Sequence, residues 1–208
     1  MRRTAQIAIV LVATAAAAVS GAVALLRAEH SSGGGTARTE FGRQHPSLKT
    51  DTATFAAGCF WKLEHAMRKV EGVVSTTAGY TGGDTTDPTH AAISTGRTGH
   101  SEAVRVEFDP AVVSYTRLLE VFWKSHDPMQ FTREAGEPAP PGRSVIFYHT
   151  EEHRAAAEAS KADVQSTTKY SAAEFPTEIV PAQPFFPAEA EHQQYLDKRG
   201  AGASCRVR

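Results

Sequence analysis

From Ala53 to Tyr148 the apolar residues switch between the two-residue period of a strand and the 3.6-residue period of a helix, and that succession leaves few folds open. Ala53 to Ala57 is a short apolar run and predicts a strand. Leu63, Ala66, Met67 and Val70 recur at helical spacing within Trp61 to Val70, and Gly72 to Tyr80 returns to strand character. After a polar loop, Ala103-Val104-Arg105-Val106-Glu107-Phe108 alternates cleanly and stops at Asp109-Pro110. Ser114 is placed to cap a helix carrying Tyr115, Leu118, Leu119, Phe122 and Trp123, which Asp127-Pro128 ends. Val145 to Tyr148 makes a fourth strand, and Thr150 followed by two glutamates opens a third helix to about Tyr170. The order βαββαβ predicts an α+β domain: a ferredoxin-like two-layer sandwich, with an additional helix and a flexible C-terminal tail.

Such a fold says little about chemistry, so the reactive side chains must. There are two cysteines. Cys59, in Gly58-Cys59-Phe60-Trp61, falls where the first strand turns into the first helix. Unpaired amides at a helix start stabilise a thiolate, and Phe60 and Trp61 supply aromatic walls suited to an apolar group. Two cysteines in an exported protein often form a structural disulfide, and a lone one is often a small buried hydrophobe. Here Cys59 follows a turn glycine, and Cys205 ends the tail Gly200-Ala201-Gly202-Ala203-Ser204. A thiol on such a tail can travel to a fixed one. Glu102 enters the third strand from the loop over 81–101, one of two long loops, with 126–143, available to build a site. His149 and His153 stand four apart, but nine histidines without a ligand cluster read as solvated surface rather than a metal site. Glu189, Glu191 and His192 read as a polar helix start.

Composition bounds the rest. The 208 residues suit one domain behind a leader. Arg2 and Arg3 precede an uncharged stretch from Ile7 to Leu26, so residues 1–28 read as an export signal or an uncleaved membrane anchor. Residues 29–52, with Ser31-Ser32-Gly33-Gly34-Gly35, read as a flexible linker, and 53–208 as the catalytic domain. Without Arg2, Arg3 and Arg27 the chain keeps 19 basic against 23 acidic side chains, a net charge of −4. That excludes a nucleic-acid surface. The expected location is periplasmic or extracellular, with free and tethered forms differing only in whether the leader is cut. No long apolar heptad calls for a second copy, so a monomer is expected.

Gly58-Cys59-Phe60-Trp61, Gly79-Tyr80-Thr81-Gly82-Gly83, Gly99-His100-Ser101-Glu102-Ala103-Val104, Phe122-Trp123, His126-Asp127-Pro128, Arg143-Ser144 and His192-Gln193-Gln194-Tyr195-Leu196 together resemble the A-class peptide methionine sulfoxide reductases. The resemblance covers Thr52 to Cys205 in order. It implies that the Cys59 thiolate attacks the sulfoxide sulfur, that methionine leaves, and that Cys59 remains as a sulfenic acid. Cys205 then attacks it, and an external thioredoxin-like dithiol opens the Cys59–Cys205 disulfide; no bound cofactor and no metal are implied. The same resemblance implies that Phe60 and Trp61 hold the substrate methyl. Glu102 is the implied proton source, since a carboxyl partly desolvated beside aromatic rings can donate near neutral pH. The implied substrate is the S epimer, free or protein-bound.

Three positions depart from the family pattern. His90 stands where a tyrosine follows Pro-Thr, Gly142 stands where another precedes Arg-Ser, and Gly136-Glu137-Pro138 replaces an Asn-Asp pair. Two hydroxyl donors to the sulfoxide oxygen are thus absent, each worth about 2.7 to 4 kcal/mol by analogy with an oxyanion-hole donor. His90 is expected to donate in place of the first, because imidazole gives or holds a proton near neutral pH, while Glu137 keeps the aspartate's carboxylate. The competing reading is a catalytically weakened relative that acts as a redox-sensing or binding module. A general thiol oxidoreductase is disfavoured, because no Cys-x-x-Cys pair is present.

Overall fold

The computed structural model describes residues 49–129, 139–167 and 175–200. The predicted strands and helices form close to their expected bounds: β1 (Asp51–Ala56), α1 (Phe60–Arg68), β2 (Val73–Thr81), β3 (Ser101–Phe108), α3 (Tyr115–Ser125), β4 (Val145–Tyr148) and α4 (Glu151–Thr167). Four short elements are additional: α2 (His90–Ile93), β5 (Glu178–Pro181), β6 (Phe186–Pro187) and α5 (Tyr195–Arg199). Ser114 accepts from the Arg117 N–H at 3.2 Å and starts α3 as its sequence position predicts.

The sheet runs β5-β4-β1-β3-β2-β6. Its centre, β4-β1-β3-β2, is antiparallel throughout and is the ferredoxin-like order; β6 adds antiparallel to β2 and β5 parallel to β4. β1 begins at Asp51 because Asp51 and Thr52 face Phe108 and Glu107, so a long β3 extends the pairing. Strand alternation divides the buried residues between the two faces. Phe55, Val104, Val106, Phe108 and Ile146 join Leu63, Met67, Leu118 and Phe122 of α1 and α3 in the main core. The alternate residues Ala56, Ala103, Val145 and Phe147 form a smaller cluster covered by Val180 and Phe185.

The segment after α4 thus crosses the sheet. Gly79 of β2 allows the close approach: a Cβ there would lie 2.4 Å from the Phe186 carbonyl oxygen and 2.5 Å from the Phe185 ring. Gln193 completes the seam. Its side-chain carbonyl accepts from the Ala78 N–H at 2.9 Å, and its amide donates to the Ala78 and Ala188 carbonyls at 2.8 and 2.9 Å. One side chain therefore imitates the backbone of a neighbouring strand. Gln194 is positive in φ at 53°, and its N–H donates to the buried Glu64 carboxylate at 2.7 Å. Glu64 also accepts from Thr76 at 3.2 Å, and burial raises its pKa against these hydrogen bonds. It ties α1 to both β2 and the C-terminal segment.

Two expectations are corrected. His153 is buried, stacks on Tyr115 at 3.9 Å and 8°, and lies 3.2 Å from Asp51, while His149 reaches Thr54 Oγ1 at 2.9 Å. His153 is therefore not solvated surface, because the start of α4 packs on β1 and α3, whereas His149 is exposed as expected. Glu189 precedes a turn over 190–194 that contains Glu191 and His192, and the helix begins only at Tyr195. The leader and linker over 1–48, Glu137 and Cys205 lie outside the described residues. Among the described residues no helix is long and apolar enough to cross a membrane.

Candidate active site

The strand-to-helix turn is built by Gly58, whose φ of 69° lets β1 turn sharply into α1. Cys59 is the N-cap residue, in extended conformation at φ −66° and ψ 117°, with no side-chain cap of its own. It is partly exposed and, in this structure, disulfide-bonded. The following amide, Phe60 N–H, donates to Glu102 Oε2 at 3.2 Å. A carboxyl and the cysteine thus meet at the same helix start. The loop carrying Gly142 closes this corner through its backbone, Gly58 N–H donating to the Gly142 carbonyl at 3.1 Å and Glu102 N–H to that of Pro141 at 2.8 Å.

Phe60 is buried and forms the base of an aromatic cluster. Its ring centroid lies 5.9 Å from Tyr80, 6.2 Å from His90, 5.6 Å from His192 and 6.1 Å from Trp61. Trp61 is half-buried and stacks on Tyr195 at 3.7 Å and 8°. The indole ring is therefore held flat by α5, which Asp197 fastens to His65 and Arg68 of α1. His90 Nε2 lies 3.7 Å from Glu102 Oε1, an ion-pair distance. The structure so brings Cys59, Phe60, Trp61, His90 and Glu102 together; Glu137 and Cys205 are outside the described residues.

Three further residues shape this corner, though nothing in the sequence signalled that they would meet it. Glu189 accepts from Tyr80 Oη at 2.8 Å and from the His90 N–H at 2.9 Å. His192 packs on His90 with centroids 4.5 Å apart and lies over Trp61 at 5.6 Å. Tyr195 backs the indole. The motif containing His192 and Tyr195 was legible, but its contact with β2 and α1 depends on pairing across more than a hundred positions.

Electrostatics sort the titratable groups. The Glu102 carboxylate pulls the His90 pKa above the ordinary imidazole value, with burial opposing and Glu189 adding to the pull. Burial and the neighbouring His90 charge push His192 the other way. Burial works to raise Glu189, but hydrogen bonds from His90, from its own N–H and from Tyr80 outweigh it and hold the carboxylate ionised. Tyr80 is pushed up by burial and by Glu189, so it remains a phenol. Among the described residues no group of three or more His, Cys, Asp or Glu is arranged to hold a metal.

A cysteine leads a helix out of an antiparallel sheet, with a carboxyl and an imidazole beside that helix start and an aromatic cluster alongside. Comparison with known proteins narrows the class. The family model for peptide methionine sulfoxide reductase matches residues 51–208, and the chain belongs to that family. It is 50% identical over 157 residues to the peptide methionine sulfoxide reductase MsrA of Methanosarcina acetivorans, covering 76% of this chain and 83% of that one. Among solved structures it resembles methionine sulfoxide reductase A of Corynebacterium diphtheriae, with a TM-score of 0.61 and 30% identity over 75% of this chain and 82% of that one. It also resembles the reduced form of Mxr1 from Saccharomyces cerevisiae, with a TM-score of 0.66 and 28% identity over 76% and 91% of the two chains.

Proposed function

We propose that the protein reduces methionine S-sulfoxide, free or in oxidised proteins, with Cys59 as nucleophile and His90 serving the oxygen side of the site. The observation that carries this is the convergence of Glu102 on both the Phe60 amide and the His90 imidazole, one residue from the sulfur-bearing Cys59. In the reaction the Cys59 thiolate attacks the sulfoxide sulfur while the oxygen takes two protons and leaves as water. Water then attacks the Cys59 sulfur to break the transient S–S bond and return one proton. Methionine leaves reduced, and Cys59 is oxidised to a sulfenic acid. Cys205 attacks that sulfur, releasing water and forming the disulfide, which an external thioredoxin-like dithiol reduces by exchange.

The parts have separate tasks. The start of α1 stabilises the thiolate, Phe60 and Trp61 enclose the methyl group, and Glu102 and His90 share one proton that the pair gives to the oxygen, the imidazole standing where the family pattern has a tyrosine. Glu137 is proposed to supply the carboxylate of the second loop. Export directed by residues 1–28, with or without retention of that segment as an anchor, is part of the same reading and is tested by fractionating cells that express the full chain.

Turnover of the separate S and R epimers, with dithiothreitol as reductant and Cys59→Ser as control, tests the reaction. Turnover of S alone, abolished in the control, is the expected result. A folded protein that turns over neither epimer refutes catalysis and leaves the redox-sensing or binding module.

A further inference from the structure

We propose that Glu189 is a positioning residue for the oxygen side of the site, fastening the turn that carries His90 to β2 and so holding the imidazole against Glu102. This rests on the reading of His90 given above. Its starting point is the weakness of α2. A helix of four residues has too few internal hydrogen bonds to define its own position, so its place must come from outside contacts. Its far end is anchored by Ile93, which is fully buried in the main core. Thr89 caps the near end but belongs to the same turn, its hydroxyl accepting from the Ala92 N–H at 3.3 Å.

What holds the near end to the rest of the molecule is Glu189. One carboxylate oxygen takes the Tyr80 hydroxyl at 2.8 Å and the other the His90 N–H at 2.9 Å. Tyr80 is fully buried on β2, paired on one side with β3 and on the other with β6, so one oxygen is tied to a sheet strand and the other to the turn. The bridge joins segments 99 positions apart. With the His90 backbone held, its ring packs between Phe60 and His192, with Nε2 towards Glu102. Glu189 touches the backbone of His90, so it acts on the reaction through position and charge.

The charge gives a readout that a purely structural role would not move. The titratable groups facing His90 are Glu102 from β3, Glu189 and His192 from the C-terminal segment, and Tyr80 of β2 behind Glu189. The two carboxylates hold the imidazolium; His192 opposes it. Neutralising Glu189 removes one anion, so the imidazolium loses its proton at lower pH.

The test is kcat and KM for the S epimer of methionine sulfoxide as a function of pH, with melting temperature, for the full chain and for Glu189→Gln, Glu189→Asp and His90→Ala. Glu189→Gln is expected to lower kcat with KM little changed, by up to about 100-fold as for small misplacements of a reacting group. Its alkaline limb should move to lower pH. Glu189→Asp keeps the charge but shortens the reach, so kcat should fall with the limb near its original pH. In the His90→Ala background, Glu189→Gln should add nothing to either effect. A lower melting temperature with unchanged kcat and an unmoved limb in Glu189→Gln overturns the proposal while leaving His90 in place. If that variant does not fold, unchanged kcat in Glu189→Asp overturns it instead. Full activity in His90→Ala overturns the reading of His90, and the role of Glu189 with it.

Discussion

Replacing Gln193 with Ala removes three hydrogen bonds with one side chain, and the cost can be followed bond by bond. The Ala78 carbonyl keeps a partner, because the Ala188 N–H also donates to it at 2.9 Å. The Ala78 N–H does not, and Ala78 is 0% exposed, so water cannot take the place of the lost amide. A buried orphan N–H costs about 1–3 kcal/mol, and the two remaining bonds contribute about 1 kcal/mol each before relaxation. Allowing for partial repair at the Ala188 carbonyl, the loss should be about 2–4 kcal/mol. For a domain of this size that lowers the melting temperature by roughly 5–15 °C. The assay is thermal unfolding of the full chain followed by circular dichroism, with Gln193→Ala and the parent in the same redox state. Activity should fall too, because Gln193 lies in the segment that delivers Glu189, His192 and Tyr195 to the site. A melting temperature within about 1 °C of the parent would refute the idea that this amide acts as a surrogate strand.

The pH dependence of turnover follows from His90. Its pKa is raised by Glu102, so the donor form persists to higher pH than for an ordinary imidazole and is lost as pH rises further. In kcat/KM against pH, His90→Gln should therefore remove an alkaline limb, and an unchanged profile would exclude His90 from proton donation. Gly79→Ala should cost about 1–3 kcal/mol, since the new Cβ meets a carbonyl and a ring with little room to yield; urea unfolding reads the loss. Glu64→Ala leaves the Gln194 N–H without its carboxylate and should destabilise by about 1–3 kcal/mol in the same assay. Trp61→Ala should raise KM for the sulfoxide more than it changes kcat, measured by steady-state kinetics, because the indole is assigned to binding rather than to proton movement.

The periodic part of the fold was legible because each long element carries its own signal. The alternation of Ala103 to Phe108 and the capped run from Ser114 commit those residues to strand and helix before any partner is known. The short elements carried no such signal. β6 is two residues long and exists because Gly79 lets it come close; α5 is five residues long and is held by Tyr195 on Trp61 and by Asp197 on α1. The burial of His153 had no local signal for the same reason, since it depends on how α4 lands on β1 and α3.

By itself the sequence determined the βαββαβ order and the place of Cys59 at the start of α1, because local periodicity and turn chemistry decide both. It also supplied the substitution of His90 for a family tyrosine. Only the tertiary structure decided what surrounds those residues: that Glu102 reaches the Phe60 amide, that His90 faces Glu102, and that Glu189 and His192 arrive from the far end of the chain. Contacts of that kind depend on sheet order and on a single side chain, Gln193, standing in for backbone. No residue spacing encodes them, because they join separate segments of the chain, with Phe60 and Glu102 lying 42 positions apart and His90 and Glu189 lying 99 apart.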